Sequence, residues 1–484
     1  RRLKPRHFSD LVAQISLFRP GPVRGDLVTP YVLRRHGREE YAVPLPELEP
    51  VLRSTYGVLV FQEQVLEIAC VVAGFSLAEG DQIRRAMTRD RGPGAMKDLR
   101  EEFVSRAIVR GVPRATAREV FSWTEGFAAY GFSAAHAASF AELAYASAYM
   151  RAHYPAEYFA AVLNSQPMGF YSPRAILNEA RRIGISVLPP DVHLSGGSFR
   201  VEKDGAAIRV GLKYAKGLSR KALSSLLAER DKVPFFSVTD LYRRTAVGRD
   251  ALESLVKGGF LDTLSPTGDA GGRAALLAEV SVLPKKPPPS RRRQEELPLP
   301  HPARRERGQR EDSIEIRGPG FLRLSAERRE TMEWESLSLN VFRHPLLPYR
   351  GALRRLGVTP SQEILGLPHG TRARAAGLLE SLQRPPTKSG RPVYFLLIED
   401  EAGLFQATIF EGVYQRDGHI LHQKGAFFLD GRVEQDRRRG FSFLVERVRD
   451  LSRALEAAGR VPEPRASPSS DAFLRAKRRG RRAG

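Results

Sequence analysis

The sequence predicts a multidomain α+β protein, with a mainly helical first half, a helix-hairpin-helix unit in the middle and a small β-barrel near the C-terminal end. Three observations predict this. A glycine-rich hairpin at Gly211–Leu218 separates two helical patterns. Between residues 371 and 451 the apolar residues recur at every second position, as strands require. Earlier in the chain, five apolar residues fall on one stripe of a helix: Phe61, Val65, Ile68, Ala69 and Val72.

The composition favours a basic protein with well-formed cores. The 484 residues are 42% hydrophobic and carry a formal net charge of +22, which predicts about three domains and a polyanionic partner such as nucleic acid. No run approaches the roughly 18 apolar residues of a membrane span, and the first residues, RRLKPRHF, lead into no signal-peptide core. A lone cysteine, Cys70, excludes internal disulfides and a thiolate zinc site. We therefore expect a cytoplasmic protein without a membrane partner.

The most informative segment is GFAAYGFSAAHAASFAELAYASAYMRAHYPAEYFAAVLNSQPMGFY, residues Gly126–Tyr171. Its glycine-aromatic loop leads into a helix from about Ala134 to Tyr154, with Ser133 as the expected N-cap. His136 lies in the first turn, where free N–H groups and the helix dipole favour an anion. The alternative is an alanine-rich core helix with one satisfied histidine.

This segment resembles the fingers region of the alpha subunit of bacterial DNA polymerase III, the C family of replicative polymerases. Three more stretches match that family in the same order: ISLFRPGPVRGDLVTPYVLRRHGREE (Ile15–Glu40), STYGVLVFQEQVLEIACVVAGFSLAEGDQIRRAM (Ser54–Met87) and VGLKYAKGLSRKAL (Val210–Leu223). The stretch LNSQPMGFYSP (Leu163–Pro173) resembles the error-prone, damage-tolerant branch. The resemblance runs from residue 1 to about 264 and resumes more weakly from about Glu333 to Leu451.

The resemblance and the composition together imply seven regions. They are a fingers region (1–170), a connecting segment (171–207), a tandem helix-hairpin-helix module (208–264), a Pro/Arg-rich linker (265–332), a helical connector (333–370), an OB-fold nucleic-acid-binding domain (371–451) and a basic disordered tail (452–484).

The resemblance further implies the C-terminal part of an error-prone DNA-directed DNA polymerase, which adds deoxynucleotides to a primer 3′ end in replication and translesion repair synthesis. Its partners would be primer-template DNA, deoxynucleoside triphosphates and mutagenesis accessory proteins. The complete enzyme would use Mg²⁺, held by palm aspartates upstream of Arg1. We find no comparable acidic cluster, so we expect no catalytic or metal-binding residue in this chain, which by itself would be inactive. The alternative is a non-catalytic nucleic-acid-binding protein that uses the hairpin and barrel modules.

A triphosphate needs basic groups near a helix end, and six residues are candidates for the nucleotide site: Arg84, Arg85, Arg19, His136, Gln62 and Gln64. Arg84 and Arg85 match a basic pair that the family places near the nucleotide. Rigid prolines flank Arg19 in LFRPGP. The alternatives are that the arginines contact template phosphate or the fingers carboxylate Glu63, and that a glutamine at a helix start only caps it.

The hairpin and the barrel supply the candidates for DNA binding. Glycine lets the backbone approach phosphate closely, so we expect contacts from Lys213, Lys216, Gly217 and Arg220. Val247–Gly248 and the helix after it resemble a second, degenerate copy, although an ordinary αα-hairpin would read similarly.

On the barrel the aromatic and basic candidates are Phe395, Phe410, Tyr394 and Arg432, of which half should face the core. Within the linker, Gln294–Leu299 faintly resembles the peptide by which bacterial polymerases hold the sliding clamp.

Overall fold

The computed structural model describes residues 3–18, 27–88, 93–128, 132–169, 171–265, 268, 272–287, 324–385, 387, 390–423, 425–436 and 440–457. The chain divides into two compact units, Arg1–Ala152 and His153–Gly484. Each unit has its own hydrophobic core.

The first unit is helical. Its helices are α1 (Phe8–Leu17), α2 (Val28–Arg35), α3 (Glu49–Leu52), α4 (Gln62–Ala73), α5 (Leu77–Thr88), α6 (Pro93–Val109), α7 (Arg114–Ala128) and α8 (Ala134–His153). The predicted stripe of α4 is buried from Val65 to Val72, where it packs against Phe103 of α6 and Phe121 of α7. Gly74 ends α4 in the left-handed conformation, with φ of 69°, as a C-cap glycine does.

The second unit begins with two helices and a small sheet. Helices α9 (Pro155–Asn164) and α10 (Pro173–Arg182) precede strands β1 (Ser186–Leu188), β2 (Arg200–Glu202) and β3 (Ala207–Arg209). Strand β3 lies in the centre, parallel to β1 and antiparallel to β2. Residues 171–207, predicted as a connecting segment, contain this sheet, which the sequence does not reveal because three-residue strands are too short to show a period.

The hairpin module follows and shares one core with that sheet. Its helices are α11 (Arg220–Lys232), α12 (Val238–Arg244), α13 (Arg249–Lys257), α14 (Arg273–Ser281) and α15 (Ala326–Leu337). Leu226, Leu241 and Leu255 are fully buried in this core. The Ser219 hydroxyl caps α11 by accepting the N–H of Ala222 at 3.2 Å.

Helix α14 corrects the prediction that residues 265–332 form a linker. Arg273 is fully buried, and Leu276 and Val280 belong to the module core. The Arg273 guanidinium contacts Asp262 at 2.7 Å and Glu333 of α15 at 3.1 Å. The predicted clamp peptide Gln294–Leu299 lies outside the described residues.

The last part of the chain is a five-stranded closed barrel after two short helices, α16 (Arg350–Arg355) and α17 (Ser361–Ile364). The strands are β4 (Arg372–Gln383), β5 (Val393–Glu399), β6 (Leu404–Phe410), β7 (Ala426–Asp436) and β8 (Gly440–Asp450), in the order β4-β5-β6-β8-β7. Helix α18 (Glu411–Leu421) joins β6 to β7.

The predicted α+β class is confirmed. A turn at residues 400–403 joins β5 to β6, with the Asp400 N–H donating to the Gly403 carbonyl at 2.9 Å. The tail predicted from residue 452 instead begins with a packed helix, α19 (Leu451–Ala457), whose Leu451 and Leu455 are buried. Residues after Ala457 lie outside the described part of the chain.

Candidate nucleic-acid interface

The two glutamines predicted near the nucleotide have different surroundings. Gln64 is 5% exposed, and its side-chain oxygen accepts the N–H groups of Val60 and Phe61 at 2.8 and 2.9 Å. Its amide nitrogen donates to the Val51 carbonyl and the Thr55 hydroxyl at 3.0 and 2.8 Å. All its hydrogen-bonding capacity is therefore used inside the unit, and we no longer assign Gln64 to a nucleotide. Gln62 is half-buried at the start of α4.

A carboxylate holds the start of α8, where the sequence analysis predicted an anion site. The backbone N–H of Ala134 donates to both oxygens of Glu63, at 3.1 and 3.0 Å, and the Ser133 hydroxyl donates to the same carboxylate at 3.0 Å. Ser133 itself caps weakly, since the His136 N–H lies 3.5 Å from its hydroxyl. A phosphate could reach these donors only by displacing Glu63.

His136 is exposed on the first turn of α8. Its ring meets Phe132 and Phe140 edge-on, with ring centroids 5.1 and 4.7 Å apart. The histidine is therefore held in an aromatic group while one side stays open to solvent.

The arginine candidates of the first unit are only partly described. Arg84 and Arg85 lie in the last part of α5, but their side chains are outside the described residues, as is the whole of Arg19. Their predicted contacts with a nucleotide stay predictions.

In the hairpin, two of the side chains predicted to contact phosphate are exposed beside the turn. Lys213 and Arg220 are exposed at either side of the turn, and Gly217 adopts a left-handed φ of 79° with open space where a Cβ would stand. Arg220 begins α11, whose first N–H groups have no partners within the helix. This geometry suits a phosphate between the turn and the helix.

Lys216 contacts the end of α15 in this structure, and its predicted contact with phosphate stays a prediction. Its backbone N–H donates to the Ser336 carbonyl at 3.1 Å, and its ammonium group donates to the Glu335 carbonyl at 2.5 Å. A positive charge at the carbonyl end of a helix is favourable. Lys216 therefore fastens the C-terminal end of α15 to the hairpin.

On the barrel, one register row connects the predicted aromatic and basic residues. Arg432 pairs with Leu444, Leu444 with Thr408, and Thr408 with Phe395, across strands β7, β8, β6 and β5. Three strand spacings separate Arg432 from Phe395, or about 14 Å. Both side chains point outward, because the alternating inward positions form the barrel core.

Phe410 and Tyr394 differ in which face of the barrel they occupy. Phe410 is 49% exposed and pairs with Val393, so it lies diagonally beside Phe395 on the outer face. Tyr394 is 8% exposed and stacks on Tyr414 of α18, with ring centroids 3.6 Å apart. Tyr394 thus belongs to the core and is removed from the candidates for stacking with a base.

A buried ionic cluster, absent from the sequence analysis, ties α10 to the barrel. Arg174 is paired with Glu380 of β4, and it lies 2.8 Å from a carboxylate oxygen of Glu399 in β5. Asn178 donates to Glu399 at 3.1 Å. Burial and the neighbouring arginines hold the pKa of His344 well below its usual value, so this ring is neutral. The partners are more than 200 residues apart in the sequence.

Within the described residues, no three His, Cys, Asp or Glu side chains gather into a group that could hold a metal ion. The expectation that this chain supplies no magnesium ligand stays a prediction. None of the described helices is long and apolar enough to cross a membrane.

Two parts of the chain match known families. Residues 1–111 match the bacterial DNA polymerase III alpha subunit finger domain, and residues 184–270 match a helix-hairpin-helix motif. The second match covers the small sheet as well as the hairpin.

Three relatives that match most of this chain are named error-prone DNA polymerases. The error-prone DNA polymerase of Symbiobacterium thermophilum is 40% identical over 93% of this chain, and error-prone DNA polymerase 1 of Agrobacterium fabrum is 35% identical over 95%. The error-prone DNA polymerase of Corynebacterium glutamicum is 36% identical over 90%. The chain spans 44%, 41% and 38% of the lengths of these relatives. Among solved structures, an asparaginyl-tRNA synthetase from Pyrococcus horikoshii overlaps 19% of the chain with a TM-score of 0.17, too slight a likeness to bear on the fold.

Proposed function

Because this chain belongs to the family of the bacterial DNA polymerase III alpha subunit, and its named relatives are error-prone DNA polymerases, we propose that it forms the fingers-to-barrel part of an error-prone DNA-directed DNA polymerase. Its substrates are primer-template DNA and deoxynucleoside triphosphates, in replication and in synthesis past lesions. The observation that carries this proposal is the likeness to those polymerases over 90% or more of this chain.

The proposed division of labour follows from the residues present. In the longer polymerase, aspartates outside this chain would hold the magnesium ions that support nucleotidyl transfer. The present chain binds and orients the nucleotide and the DNA. In the first unit we propose that Arg84 and Arg85 on α5 bind the triphosphate, with Arg19, Gln62 and His136 as further contacts.

The hairpin module is proposed to hold duplex DNA behind the site of synthesis. One phosphate would meet the left-handed Gly217, the exposed cations of Lys213 and Arg220 and the start of a 13-residue helix. The ammonium group of Lys213 also lies 5.2 Å from the centre of the Tyr214 ring. In the second copy of the proposed tandem, the turn glycine is Gly248, which is the N-cap of α13.

The barrel is proposed to be an OB-fold that binds single-stranded DNA. Its strand order and the helix between the third and fourth strands support this. Phe395 and Phe410 would stack on bases, and Arg432 would contact phosphate. A sliding clamp and mutagenesis accessory proteins are proposed as further partners of the longer polymerase.

A chimera tests the proposed function directly. The matching region of the Symbiobacterium thermophilum error-prone DNA polymerase is replaced by this chain, and primer extension is measured on an intact template and on one with an abasic site. We expect extension on both. A folded, DNA-binding chimera that extends neither template would overturn the polymerase assignment and favour the non-catalytic nucleic-acid-binding protein.

A further inference from the structure

Two arginines stand directly opposite each other on neighbouring strands of the barrel. Arg372 begins β4 and pairs in register with Arg432 of β7. Both residues are exposed. Directly opposed residues on one face have Cβ atoms about 5 Å apart, and like charges in such positions destabilise a sheet.

The surrounding carboxylates leave this pair largely uncompensated. Asp430 is shared by Arg374 at 3.3 Å and Arg449 at 2.6 Å. Glu434 approaches Arg432 at 3.8 Å. Within the described residues, no carboxylate forms a salt bridge with Arg372. The pair therefore presents two guanidinium groups of which one has no counter-charge.

We propose that Arg372 and Arg432 form a binding site for the phosphodiester backbone of single-stranded DNA. A guanidinium fork binds phosphate oxygens bidentately, and two forks on side chains whose Cβ atoms lie about 5 Å apart can reach one backbone. A bound phosphate also removes the repulsion between the two charges.

The register row explains why a single strand is the ligand. From Arg432 the row crosses Leu444 and Thr408 to Phe395, about 14 Å away on the same outer face. Only a strand with unstacked bases can stack on Phe395 and Phe410 while its phosphates reach the arginine pair. This inference rests on the proposed function, because it adds a contact to the proposed single-strand site.

The test is salt-dependent binding of fluorescent oligothymidine to the full chain, measured by anisotropy. An R372Q/R432Q variant should lose about 1.4 from the slope of log K against log salt, or 0.7 for each lost contact with a single strand. If the wild type and the variant bind oligothymidine equally at about 1 M salt, the variant should bind it about 25-fold more weakly than the wild type at about 0.1 M salt. An R114Q/R118Q variant removes two exposed charges from α7 and should retain the wild-type slope.

Three further measurements test the proposed site at Arg372 and Arg432. The thermal midpoint of R372Q/R432Q should equal or exceed that of the wild type, because a like-charge pair has been removed. A hairpin duplex should lose less affinity than oligothymidine, and an equal loss would overturn the assignment to a single strand. Unchanged oligothymidine binding by R372Q/R432Q would overturn the site while leaving an active chimera, and so the proposed polymerase, intact. A wild-type chain that binds no DNA would overturn both.

Discussion

The carboxylate of Glu63 accepts the backbone N–H of Ala134 with both oxygens and thereby fastens the start of α8 to the start of α4. The contact joins residues 71 positions apart in the sequence. An anion at a helix N-terminus satisfies free N–H groups and interacts favourably with the helix dipole. Glu63 is thus the ligand of the α8 N-terminus in this structure.

Removal of this contact should destabilise the first unit. We expect Glu63→Ala to lower its free energy of unfolding by about 1–2 kcal/mol, as the loss of a helix cap does. The chain has two tryptophans, Trp123 and Trp334, one in each unit, so fluorescence in a Trp334→Phe background follows the first unit alone. Glu67→Ala, one turn further along α4, is the control and should change stability little. Equal effects of the two variants would contradict the capping role.

Replacement of Arg174 should lower the free energy of unfolding of the second unit. Arg174→Met would leave the buried carboxylate of Glu380 without its arginine and that of Glu399 with only Arg182, at 3.7 Å. Breaking a buried pair in this way costs about 3–5 kcal/mol. Urea unfolding followed by Trp334 fluorescence in a Trp123→Phe background measures the change. Arg355→Met, at an exposed position on α16, is the control. A loss below about 1 kcal/mol would mean that water or a rearranged neighbour compensates the carboxylates.

Glu333 should make the second unit less stable as the pH rises. Burial raises the pKa of this carboxyl to about 7, outweighing the attraction of Arg273. A pKa raised on folding means that the folded state binds the proton more tightly, so stability is highest below the unfolded value of 4.5 and falls as the pH rises through 7. The loss amounts to at most about 3 kcal/mol.

Urea unfolding at pH 5 and pH 8 measures this dependence. Glu333→Gln should reduce the difference between the two pH values, whereas Glu335→Gln, on the exposed side of α15, should leave it unchanged. A wild-type chain equally stable at both pH values would show that Glu333 is ionised throughout.

The hairpin should contribute two phosphate contacts to duplex binding. A Lys213→Gln/Arg220→Gln variant should reduce the slope of log K against log salt for duplex DNA by about 1.8, or 0.9 per contact, irrespective of sequence. Lys285→Gln/Lys286→Gln removes two exposed charges from the same unit as a control. If both variants behave alike, the hairpin contributes only general charge. Lys216→Gln should instead lower stability, because that residue fastens α15.

Arg84 and Arg85 should affect nucleotide use more than DNA affinity. In the active chimera we expect either alanine variant to lower kcat/KM for nucleotide incorporation by about 2–4 kcal/mol in activation free energy, as the loss of one electrostatic donor in an active site does. DNA titration of the same variants should give nearly normal affinity, with Arg118→Ala as the control. The reverse pattern, weak DNA binding with normal incorporation at saturating DNA, would assign the pair to template phosphate.

Local patterns in the sequence were enough to predict helices and strands. They were not enough to predict which distant residues contact them. Period two in residues 371–451 predicted the strands of the barrel, because each strand alternates within its own residues. The donor set at α8 was visible around Ser133, whereas Glu63 was not, because its role depends on a contact across 71 positions. Lys216 was predicted to contact phosphate because its own neighbours are basic and glycine-rich. Only the packing of α15, more than 100 residues away, reveals its actual acceptors.

The buried guanidinium of Arg273 defines where a stable fragment can end. A fragment that ended at the compositional boundary, residue 264, would lack α14 and α15 and would leave Asp262 without Arg273. A fragment ending there should be prone to aggregation, since the apolar side chains that Leu276 and Val280 cover would meet solvent. In limited digestion of the intact chain, the peptide bond after Arg273 should resist trypsin although 77 lysines and arginines offer cleavage sites. Resistance at that bond would mark α14 as part of the folded module.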